Sequence, residues 1–201
     1  SGQQKKVLNI FNEFSIQDAR EIKKIEKKTN HDVKAIELFI VTKLKKLKLN
    51  KLCEFVHFCC TSEDINNLSY SLMLQRFLNQ QFSPAMDALQ KKLSSQAKKW
   101  SKISMLAFTH GQPASPTTLG KEFANYSYRL KFHLDLIKST KQKGKFNGAS
   151  GNYNAHLIAS QKVNWESLSK RFVNSLGLNF SSHSTQIELK DAMAYQLTNI
   201  H

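Results

Sequence analysis

The run LGKEFANYSYRLKFHLDLI, residues 119–137, sets Leu119, Phe123, Tyr126, Leu130, Leu134 and Ile137 at steps of 4, 3, 4, 4 and 3. That spacing keeps six large apolar side chains on one face of a helix, which must be covered by neighbouring helices as in a bundle. Just upstream, residues 107–118 hold two prolines and a glycine and read as a loop or a loose turn. Further back, Ser83-Pro84 pairs a capping residue with Pro at a first helical position, opening a helix through Leu89, Leu93 and Ala97 that ends near Trp100. Thr61-Ser62-Glu63-Asp64 marks another start, continued by Ile65, Leu68 and Leu72, and residues 52–58 are compatible with a helix. Residues 15–49 read as two helices with a polar junction at 27–32. On the other side of the deciding run, residues 144–151 break the pattern. Trp165, Leu168, Phe172 and Leu176 then rebuild it, and Gly177 stands at a carboxyl cap. Residues 191–201 begin a helical pattern and stop within it, which predicts a partial chain.

Composition agrees with an all-α fold. Among 201 residues there are 7 Gly and 3 Pro, few for a sandwich built on tight turns or for a Pro-rich linker. Mean hydropathy is −0.45 and no apolar run reaches the length of a membrane span. The amino end lacks a signal-peptide core, and Ser1-Gly2 has the look of a cloning remnant, so a cytoplasmic protein without membrane partners is expected. The formal charge is +15, from 30 Lys and Arg against 15 Asp and Glu. The lysines come as scattered pairs such as Lys23-Lys24, Lys45-Lys46 and Lys98-Lys99, the pattern of solvated helix faces, and no aromatic residues interleave with them as in RNA-binding motifs. A basic nucleic-acid-binding module is thus the second reading, resting on charge alone, and a non-catalytic structural fragment is a third. Cys53, Cys59 and Cys60 cannot all pair within the chain, which fits a reducing compartment.

Three polar islands interrupt the amphipathic pattern, and each holds a histidine: residues 29–32 with His31, 57–67 with His57, and 109–113 with His110. Imidazole titrates nearest neutrality and suits acid or base work, while hydroxyls and amides at helix starts hold anions. Cys53, His57 and Cys60, at i, i+4 and i+7, would share a helix face and suggest zinc. No second Cys/His pair of the required kind follows, so no metal is expected. Gly-rich phosphate loops and a GxSxG elbow are absent, which removes support for kinases, dehydrogenases and serine hydrolases on those folds.

The islands in their order, Thr29-Asn30-His31-Asp32, then His57-Phe58-Cys59-Cys60-Thr61-Ser62-Glu63-Asp64-Ile65-Asn66-Asn67, then Thr109-His110-Gly111-Gln112-Pro113-Ala114, resemble the bacterial-type adenylosuccinate lyases of the fumarase and aspartase superfamily. Asn147-Gly148-Ala149-Ser150-Gly151-Asn152-Tyr153-Asn154-Ala155-His156 and Thr185-Gln186-Ile187-Glu188 extend the likeness over most of the chain. The resemblance implies an all-α chain in which residues 1–102 close an amino-terminal helical domain and 103–201 begin the long-helix central bundle. It implies a cofactor-free β-elimination that releases fumarate from adenylosuccinate, giving AMP, and from SAICAR, giving AICAR. It also implies a homotetramer whose active sites draw on several subunits.

Carried over position by position, the resemblance makes His110 the general acid and His57 its supporting catalytic histidine. Asn30, His31, Asp32, Thr61, Ser62, Lys121 and Gln186 become substrate-binding positions, with Asn154 a weaker candidate; Lys121 reads equally well as a solvated helix lysine. Phe108 stands where many relatives have Arg, and Cys60 where some have Gly. Nothing after Gln186 matches the family's mobile serine loop, and its amino-terminal Arg-Tyr contact has no counterpart. The catalytic base is therefore expected outside this chain, and the isolated chain is expected to be inactive.

Overall fold

The computed structural model describes residues 2–201, which divide into two compact units. The first comprises residues up to 69, 144–175 and 180–188; the second comprises 70–143, 176–179 and 189–201. No helix among the described residues is long and apolar enough to cross a membrane.

In the first unit α1 (Gly2–Asn12) precedes α2 (Ile16–Thr29) and α3 (Asp32–Lys46). A reciprocal capping box opens α2: the Ser15 hydroxyl accepts from the Asp18 N–H, and the Asp18 carboxylate accepts from the Ser15 N–H. Asp18 also takes a 2.6 Å ion pair from Lys43, which pulls its pKa down to about 2 and ties α2 to α3. The polar junction between these helices is a cap-to-cap turn. Asn30 takes the left-handed conformation (φ 50°) that its side chain tolerates, and its N–H closes on the Glu26 carbonyl. His31 then caps α3. Val33, Ala35, Phe39, Leu44, Leu49, Leu68 and Val173 form the apolar core of this unit.

The segment after α3 departs from the helical expectation for residues 52–58. Asn50–Phe55 is one 3-10 stretch, and the chain then turns through His57 (φ 63°) and Cys59 (φ 57°) before α4 (Ser62–Phe77). Cys53, His57 and Cys60 therefore do not share the helix face that a zinc reading assumed. Two short helices, α7 (Asn154–Ala159) and α8 (Trp165–Ser175), complete the unit. Gly151, at φ 80°, lies so close to the Ser184 carbonyl that a Cβ there would overlap it.

The second unit bears out one expectation in part and corrects another. Ser83-Pro84 heads α5 (Ser83–Lys99), which ends at Trp100 as expected, but it is not a free helix start: α4 runs through a π turn at Leu78–Phe82 into α5, and Phe82 is already helical. Pro84 lacks an N–H and cannot complete a regular helical bond, and the wider turn in front of it, closed by Ser83 N–H on the Leu78 carbonyl, absorbs the misfit. Residues 107–118 are not a loose turn either, because β1 (Ser104–Thr109) and β2 (Gln112–Thr118) pair antiparallel with a bulge between Leu106 and Phe108. Thr109 pairs with Gln112, so His110 and Gly111 alone make the loop. Both have positive φ (48° and 75°), as a twisted two-residue hairpin loop requires.

Thr118 caps α6 (Leu119–Ser139), which packs on α5 and on α9 (Asp191–Ile200). The covered stripe of α6 is turned slightly from the expected one. Gly120, Ser127, Leu134 and Ile137 are buried and Phe123 and Leu130 half-buried, whereas Tyr126 is 61% exposed. The reason is close approach: a Cβ on Gly120 would strike the backbone of Ala97 and Ser101, so the glycine edge faces α5. Burial of Leu134 and Ile137 stabilises this packing by roughly 1.5–3 kcal/mol each. Buried Gln196 anchors α9, donating to the carbonyls of Ile137 (2.8 Å) and Thr140 (2.7 Å). Two-residue strands, β3 (Lys143–Gly144) and β4 (Asn179–Phe180), pair with each other.

Candidate functional site

The first unit brings two polar islands together. His31 Nδ1 accepts the Lys34 N–H at 3.2 Å, capping α3, which leaves the proton of the neutral ring on Nε2. That Nε2 lies 3.2 Å from Ser62 Oγ at the first turn of α4, so the ring donates to the serine. Asn66, one turn further along α4, donates to Asp32 Oδ2 at 3.3 Å. His31, Asp32 and Ser62, distant in sequence, thus meet where two helices start side by side. The positive ends of two helix dipoles favour an anion at such a place, although the Val33 and Lys34 N–H groups of α3 are already held by Asp32 and His31.

Behind this surface sits a buried carboxylate. Asp64, third residue of α4, accepts from the Thr61 N–H (2.9 Å), the Asn147 N–H (3.1 Å), the Gly148 N–H (3.1 Å) and the Lys145 ammonium (2.9 Å). Lys145 in turn donates to the Gly148 carbonyl at 2.9 Å, and Asn67 exchanges hydrogen bonds with the Lys145 backbone. Asn147 Nδ2 donates to Ser184 Oγ at 2.8 Å, carrying the network to the segment that bears exposed Gln186. Sequence reasoning named Thr61 and Ser62 but missed Asp64, Asn67 and Lys145 as their support. An acid at the third helical position was a usable signal for Asp64; nothing local marks a lysine for burial.

Other candidate positions stand apart from these contacts. Asn30 and Gln186 are exposed, and Asn30 shapes the turn before His31 through its backbone. His57 is half-buried, with Nε2 enclosed and unpartnered among the described residues. Burial pushes the Cys60 thiol up to about 12, with the Asp64 charge adding to the effect, so this cysteine stays protonated and unreactive. His156 is buried against the rings of Trp165, Tyr153 and Phe146, and burial lowers its pKa.

In the second unit His110 sits exposed at the tip of the β1–β2 hairpin, a non-glycine residue at positive φ. Lys121 lies in the first turn of α6 and pairs with neighbouring Glu122 at 3.2 Å while staying exposed. No group of three or more His, Cys, Asp or Glu that could hold a metal gathers among the described residues.

Residues 3–200 match the family model described as lyase. The chain is 46% identical over 187 residues to adenylosuccinate lyase of Buchnera aphidicola subsp. Schizaphis graminum, covering 92% of this chain and 41% of that protein. Adenylosuccinate lyase of Escherichia coli K12 is 45% identical over 186 residues, again 92% of this chain and 41% of the relative. The chain thus spans about two-fifths of the length of these relatives. Among solved structures, fumarate lyase from Mesorhizobium sp. BNC1 superposes with a TM-score of 0.80 at 18% identity, over 97% of this chain and 44% of that one. A β-carboxy-cis,cis-muconate cycloisomerase from Acinetobacter calcoaceticus sp. ADP1 gives 0.73 at 18% identity, over 98% of this chain and 44% of that one. At that identity they share the fold. Helical architecture, island order and a family match over nearly every residue converge: the chain belongs to the lyase family.

Proposed function

We propose that this chain forms part of an adenylosuccinate lyase, which eliminates fumarate from adenylosuccinate to leave AMP and from SAICAR to leave AICAR. The observation that carries the reading is the level of identity to the adenylosuccinate lyases, more than twice that to the structures alike in fold alone. In the intact subunit, residues 1–102 would close an amino-terminal helical domain and 103–201 would open the central bundle.

The reaction breaks a carbon–nitrogen bond. A base, outside the positions matched here, removes a proton beside a carboxylate of the succinyl group. The electron pair forms the new double bond of fumarate, the C–N bond breaks, and an acid returns a proton to the departing nitrogen. His110 is that acid, an exposed imidazole at the tip of a two-residue hairpin loop. Asn30, His31, Asp32, Thr61, Ser62, Lys121 and Gln186 bind the substrate's anionic and polar groups, and His57 supports the acid. Electrostatic stabilisation of the carboxylate-delocalised carbanion needs no cofactor.

The enzyme works as a cytoplasmic homotetramer with active sites shared between subunits. Support comes from α6, where Tyr128 (74% exposed) and Phe132 (54% exposed) lie opposite the stripe buried within the unit. A second apolar face on a bundle helix is suited to packing between copies. The test is direct: the intact protein is incubated with adenylosuccinate and assayed for fumarate and AMP. Their release in equal amounts is the expected result, and none at millimolar substrate would overturn the reading.

A further inference from the structure

We propose that Asp64, with Lys145 as its buried counter-charge, is the positioning residue of the Thr61–Ser62 turn and so sets affinity for the anionic substrate. The inference rests on the lyase reading and adds residues that the resemblance did not assign. Both side chains are fully buried, 0% exposed, and a buried carboxylate is tolerated only when neutralised and fully hydrogen-bonded.

The four donors on Asp64 come from two separate pieces of chain. The Thr61 N–H belongs to the entry of α4; the other three belong to the loop at 145–148. One carboxylate therefore clamps the turn that bears Ser62 onto a loop which itself holds Ser184 through Asn147. The clamp leaves the Ser62 hydroxyl facing His31 while the carboxylate points inward. Lys145 has a second task. An uncompensated carboxylate in the first turn of α4 would oppose an incoming anion from within, and the ammonium at 2.9 Å cancels it. Neither residue touches the place where substrate would sit, so the effect is on binding and not on proton transfer.

The experiment uses Asp64→Asn, Lys145→Met and the double variant in the intact enzyme, reading KM, kcat and amide hydrogen exchange. Each variant is expected to raise KM for adenylosuccinate by about 10-fold or more and to lower kcat by less than about 3-fold. Exchange at Thr61, Asn147 and Gly148 should quicken in Asp64→Asn while the core of α6 stays protected. The double variant buries no unpaired charge and carries the test if a single variant fails to fold. Wild-type KM in any folded variant overturns the inference, as does a fall in kcat with KM unchanged. Exchange is read without turnover: an inactive wild-type protein would sink the lyase reading, while unaltered exchange at these amides in Asp64→Asn would sink the clamp.

Discussion

His31 Nε2 and Ser62 Oγ stand 3.2 Å apart, joining the cap of one helix to the first residue of another. One ring does two jobs, because Nδ1 closes α3 while Nε2 reaches α4. The jobs separate by mutation. His31→Ala should cost about 1 kcal/mol of stability from the lost cap and also weaken substrate binding. His31→Asn, itself a good cap, should keep the stability and still weaken binding. Denaturant unfolding and KM of the two variants in the intact enzyme decide this; equal loss of stability in both would contradict the division of roles.

His110→Asn tests the acid without disturbing the hairpin. Asn accepts the positive φ that position 110 demands, so β1 and β2 should stay paired. Turnover should nonetheless fall by about 100-fold or more, the scale of a lost general acid. Retained turnover would remove His110 from that role.

The two faces of α6 should respond differently to a charge. Leu134→Asp places a carboxylate in the covered stripe and should unfold the unit. Phe132→Asp alters the outward face and should leave helicity intact while splitting the proposed tetramer into smaller species. Sedimentation and circular dichroism of both proteins report the outcome, and a Phe132→Asp tetramer would move the assembly surface elsewhere.

His156 makes stability depend on pH. Burial holds its pKa below the ordinary 6.5, so the unfolded chain takes up the proton more readily than the folded one. Stability is therefore kept above about pH 6.5 and declines as pH falls through that value toward the folded-state pKa. His156→Phe, aromatic but unable to titrate, should flatten the change in Tm between about pH 7.5 and 5.0. Identical pH profiles for the two proteins would show that this ring does not contribute.

The long helices were legible in the sequence because their signals are local. The spacing from Leu119 to Ile137, the acids after Thr61-Ser62 and the glycine at 177 each act within a turn or two of chain, and α6, α4 and the end of α8 lie where they point. The polar islands were legible for the same reason, as interruptions of a period. Three things lay beyond local pattern. The β1–β2 hairpin depends on strand pairing, and its prolines argue for a loop until the partner strand is present. The π turn before Pro84 depends on the chain being helical already when it reaches Ser83, although Ser-Pro by itself promises a fresh start. Tertiary structure alone decided that Lys145, one of many lysines in a basic chain, is wholly buried. A lysine goes inside only where a carboxylate and carbonyls wait for it, and Asp64 lies 81 positions earlier in the chain.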